Sequence, residues 1–89
     1  MITGRIGYNH KTHRYGFLVM DLWEIEGLHC GDCMEVRING EWVDTRLEMD
    51  TDRKWYFVGT PFHGDLEGVI ARIADSGNLR TGSISGIDE

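Results

Sequence analysis

The chain has 89 residues, a formal net charge of −6, a hydrophobic share of 40% and twelve glycines against one proline. That length suits one small domain with a single core, and nine aromatic residues (three each of Trp, Tyr and Phe) exclude a disordered chain. The acidic balance argues against direct, non-specific binding to nucleic acid or an anionic membrane and favours a partner with a basic surface.

The N-terminal stretch lacks an apolar signal core, and no apolar run approaches the roughly 20 residues needed to span a bilayer. The expected location is therefore the cytoplasm, with Cys30 and Cys33 outside any structural disulfide. Residues Ile2 to Tyr8 alternate loosely, a polar connection follows, and Tyr15 to Met20 reads as a second strand. These two form a first hairpin. Asp21 to Asp32 reads as a long loop that carries Trp23 and Leu28 across one end of the sheet.

The centre of the chain is Asn39-Gly40, flanked by Cys33–Ile38 and Glu41–Met49. Asn-Gly is the strongest short signal for a two-residue hairpin turn, because both positions must tolerate positive φ. The implied register sets Ile38 opposite Glu41, Val36 opposite Val43 and Met34 opposite Thr45. Met34, Val36, Ile38, Val43, Leu47 and Met49 then face the core, and Glu35, Arg37, Trp42, Asp44, Arg46 and Glu48 face outward. Arg37 opposite Trp42 is a cation–π pair. Glu35 opposite Asp44 is a like-charge pair that needs Arg37 or Arg46 nearby.

Trp55 to Gly59 follows as a strand, and Leu66 to Ile73 as a further strand, with helix as the alternative. The predicted fold is all-β (or β-rich α+β): an antiparallel sheet of five to six strands, partly closed like a barrel, around the Asn-Gly hairpin. Residues 1–74 form this domain. Residues 75–89 are a Gly/Ser-rich tail or docking arm, with Leu79, Ile84 and Ile87 as its apolar anchors.

Three constellations bear on chemistry. Cys30 and Cys33, with His10 and His13, have the count and types of a tetrahedral zinc site, although two ordinary thiols are the commoner outcome of such spacing. His29, Asp32, His63 and Asp65 contain the parts of an acid–base pair, but no nucleophile motif accompanies them, and no catalytic residue is assigned. Trp23, His29, Arg37, Trp42 and Arg46 form the expected binding surface, since exposed Trp and Arg anchor most interfaces. The competing role for these aromatics is simply to fill a small core.

From Gly27 to Ile73 the chain resembles a family of small bacterial proteins described only as a domain of unknown function. The residues that carry the resemblance are Gly27-Leu-His-Cys-Gly-Asp-Cys33, Asn39-Gly-Glu-Trp-Val-Asp-Thr-Arg46, Trp55-Tyr-Phe-Val-Gly59, Leu66-Glu-Gly68 and Arg72-Ile73. The resemblance implies an origin in Gram-positive bacteria and their phages or other mobile elements. It implies no activity, cofactor or catalytic residue.

The expected function is non-enzymatic binding: an inhibitor or modulator of a host nucleic-acid-handling or defence protein. The alternatives are a small-ligand or nucleotide-binding oligomer, as simple as a homodimer, and a structural zinc module.

Overall fold

A computed structural model describes residues 1–74, and the expected tail or docking arm lies outside the described residues. The described residues form seven strands: β1 (Ile2–Asn9), β2 (Arg14–Val19), β3 (Leu22–Ile25), β4 (Cys33–Ile38), β5 (Glu41–Met49), β6 (Trp55–Phe57) and β7 (Ile70–Ile73). They make one antiparallel sheet in the order β3-β2-β1-β7-β4-β5-β6. Two meanders, β1–β3 and β4–β6, are thus joined through β7, which pairs with β1 on one side and β4 on the other.

The central hairpin has the expected register, with Ile38↔Glu41, Val36↔Val43 and Met34↔Thr45 paired. Asn39 and Gly40 both have positive φ (51° and 82°), as a two-residue turn between twisted strands demands. The core face holds in part, since Val43 is only half-buried and lies outside the core cluster. Met34, Val36 and Leu47 are buried and Ile38 packs against the cluster, while Met49 at the strand end is exposed. Phe17, Phe57, Ile6, Leu28 and Leu66 complete the core.

The sheet differs from expectation in count and closure. Among the described residues seven strands form, not five or six, and the sheet is open, not a partly closed barrel. The extra strand is β3, in a segment expected to be loop. Its connection to β2 is a two-residue turn at Met20-Asp21, both with positive φ (52° and 66°), a conformation usually signalled by Asn or Gly. Closure fails at β6, whose outer edge is taken by its own following loop. Phe57 N–H donates to Phe62 C=O and Gly64 N–H to Trp55 C=O, around a Tyr56↔His63 bridge.

The last expected strand is shorter than its apolar pattern. Leu66–Val69 is a turn containing Gly68 at φ +83°, and only Ile70–Ile73 joins the sheet. Leu66 and Val69 are nonetheless buried, plugging the core from a loop. The buried Tyr15 side chain fixes that loop: its hydroxyl accepts from Leu66 N–H at 3.2 Å and donates to Gly64 C=O at 3.5 Å.

Candidate functional site

Because the core lies on one face of the sheet, residues of the opposite parity form a continuous outer face. Registers align Trp23 beside Leu18, Leu18 beside Arg5, Arg5 beside Ile70, and Arg37 beside Trp42. One step beyond the Val36↔Ala71 pair, Ile70 and Arg37 are neighbours too. A single row therefore crosses six strands as Trp23, Leu18, Arg5, Ile70, Arg37, Trp42. Solvated sheet faces are normally polar. Here Ile70 is 44% and Trp23 38% exposed on it.

At the β5 end, Trp42 is the hub. The Arg37 guanidinium lies 5.1 Å and that of Arg72 4.3 Å from its ring centroid. Arg72 comes from β7 and donates through Nε to Glu35 Oε1 at 2.5 Å. So the cation that relieves the Glu35/Asp44 repulsion is Arg72, not Arg37 or Arg46. Arg46 instead pairs with Glu48 at 2.9 Å, on the same face. Arg5 pairs with Asp21 at 2.6 Å. Among the described residues Arg37 has no carboxylate partner, and it keeps an uncompensated charge beside Trp42.

The five expected binding residues are not gathered in one place. Arg37, Trp42 and Arg46 share one end of the outer face. Trp23 lies on that face but five strand spacings away, about 24 Å along the sheet. Its ring covers two facing glycines: a Cβ on Gly16 would sit 2.8 Å from Trp23 Cζ3. The absence of side chains at Gly7 and Gly16 gives the indole its seat, a function of the glycine-rich composition beyond turns. His29 is elsewhere, in the loop 26–32, where its N–H donates to Asp32 Oδ2 at 2.8 Å.

His29 instead lines a cleft of about 560 Å³ with Thr12, His13, Arg14, Cys30, Met49 and Trp55. Arg14 lies 5.8 Å from the Trp55 ring centroid and donates to Leu28 C=O at 3.3 Å. Arg14 was not among the expected site residues, and neither was its contact with Trp55. Their meeting depends on how the two meanders are brought together, which no local pattern announces.

Of the four zinc candidates, His13 and Cys30 line this cleft together, and His10 and Cys33 do not join them. His10 stacks edge-on against Tyr8 at 5.0 Å, and Cys33 begins β4 with its thiol donating to Gly31 C=O. Among the described residues no three His, Cys, Asp or Glu side chains are grouped to hold a metal ion. Cys30 and Cys33 are free and exposed.

The acid–base candidates resolve into turn fasteners. His63 meets Asp50, not Asp65, through Nε2 at 2.5 Å, while Asp65 accepts from Glu67 N–H. Asp50 Oδ1 also accepts from the N–H groups of Lys54 and Asp52. The Lys54 N–H, then His63, then the Asp52 N–H hold the Asp50 carboxyl below the usual carboxylate range. This cluster ties the turn before β6 to the loop after it.

The same fold is found in a crystal structure of a protein from Ruminococcus gnavus. It is 35% identical, with a TM-score of 0.67, over 80% of this chain and 99% of that one. Among curated proteins, no sequence matches the chain. A family model matches residues 4–73, from β1 through β7, and the chain therefore belongs to the family described as a domain of unknown function, DUF5348.

Proposed function

We propose that this protein is a non-enzymatic binding domain that presents the Trp42 end of its outer sheet face to another protein. The observation that carries the reading is the uncompensated Arg37 beside Trp42 and the exposed Ile70, on a sheet face that no second layer covers among the described residues. Arginine and tryptophan anchors beside an apolar residue are the usual composition of an interface hot spot. The net charge of −6 adds long-range attraction toward a partner with a basic surface.

The specific reading is an inhibitor or modulator, carried by a phage or other mobile element, of a host nucleic-acid-handling or defence protein. It is assigned to the cytoplasm, and two free, exposed thiols support a reducing compartment. Among the described residues no helix is long and apolar enough to cross a membrane.

The test is a pull-down from bacterial host lysate at low and high salt, with Arg37→Glu and Trp42→Ala as controls. The reading expects a protein captured at low salt, released by salt and lost with either variant. A capture indifferent to both variants, or none at all, overturns it.

A further inference from the structure

The cleft beside Trp55 has a composition at odds with the rest of the chain. The protein carries 15 acidic residues, yet among the described residues no carboxylate lines the cleft, whose ionisable groups include Arg14, His13 and His29. Its polar wall is held in place. Arg14 is fixed between Leu28 C=O and the Trp55 ring, with its remaining guanidinium N–H groups uncommitted among the described residues. His13 is held at φ +57°, a conformation unusual for a residue other than glycine, by its N–H bond to Asn9 C=O at 2.8 Å. Neither imidazole hydrogen-bonds or ion-pairs with a described residue, and both residues line the cleft. Trp55 and Met49 supply the apolar wall of this open, surface-lying cleft of about 560 Å³.

We propose that this cleft binds a nucleotide-like ligand: a planar heteroaromatic ring packed against Trp55 and Met49, with its phosphate held by Arg14 and the imidazoles of His13 and His29. The ring answers the aromatic and thioether wall. The phosphate answers a guanidinium whose donors match its oxygens. The site uses none of the residues at the Trp42 end of the outer face, so it stands or falls independently of the protein-binding reading.

The experiment is an NMR titration of the full chain, following the three indole N–H signals and the amides of residues 12–14 and 28–30. The probes are adenosine monophosphate, adenosine and inorganic phosphate. Adenosine monophosphate is expected to shift the Trp55 indole and the His13 and His29 amides saturably, and more strongly than either fragment. Arg14→Gln is expected to weaken that binding about tenfold, as loss of a charge-assisted contact does. His29→Gln, which leaves the Arg14–Trp55 stack in place, should weaken it several-fold. Equal response to phosphate alone identifies an adventitious anion site only and overturns the proposal. So does an absence of saturable shifts at millimolar nucleotide, or a response centred on Trp42.

Discussion

Two tryptophans in this protein sit under an arginine, and their surroundings differ. Trp42 lies near the turn end of β5, under Arg37 from the neighbouring strand and Arg72 from the strand beyond. One of those cations is neutralised by Glu35. Trp55 lies at the sheet's end under Arg14, which is anchored by a carbonyl and has no carboxylate partner among the described residues. The same pair type thus produces a knitted, half-neutralised surface in one place and a cationic cleft in the other. What decides is the third group: a carboxylate compensates the charge, whereas a backbone carbonyl positions it without cancelling it.

The cleft is most vulnerable from beneath. Phe57 is fully buried and anchors the three-residue strand that bears Trp55. Phe57→Ala is expected to destabilise the protein by about 3–5 kcal/mol, read from urea unfolding. The Trp55 indole signal should then broaden well below the main transition, before that of Trp42. On the other side, Gly40→Ala puts a Cβ at φ +82° and is expected to cost about 1 kcal/mol, loosening the register that sets Arg37 against Trp42.

Double-mutant cycles sharpen the contrast directly. The Arg72/Trp42 pair, at 4.3 Å and partly shielded, should show a coupling of about 0.5–1 kcal/mol. The Arg14/Trp55 pair at 5.8 Å should couple more weakly. Equal couplings would mean that distance from the ring does not separate the two sites.

The smallest effect concerns pH. Asp50 has a depressed folded-state pKa, so its contribution is fully present above the unfolded value and is lost as pH falls through the folded one. Stability should therefore decline on the acid side below the usual aspartate range, and Asp50→Asn should flatten that limb in acid titrations followed by circular dichroism. An unchanged acid limb would remove Asp50 from the forces that hold the turn before Trp55.

How much of this was legible in the sequence depended on how local each feature is. The β4–β5 hairpin was readable to the residue, because Asn39-Gly40 fixes turn and register together and the alternating pattern then assigns both faces. The Arg37–Trp42 pair followed from it. Strand β3 was not readable, because its turn uses Met20-Asp21 where a breaker pair is expected, leaving Met20 89% exposed. Leu66 and Val69 looked like strand residues because burial, not pairing, sets their chemistry.

The site was legible only in halves. Arg72's outward parity could be read from β7, but its proximity to Trp42 and Glu35 requires knowing that β7 lies beside β4. Arg14 and Trp55 meet only when the chain is folded, as do the residues that keep His29 away from Trp23.

The placement of β7 also bears on how the protein folds. Each three-strand meander is built from neighbours in sequence and can form quickly on its own. β7, the last described strand, pairs with β1 across nearly the whole described chain, with Ile2 opposite Ile73. Until that late, high-entropy closure occurs, β1 and β4 each expose an unpaired edge. The seam should thus govern both the folding rate and the window in which the nascent chain is most prone to associate with its neighbours.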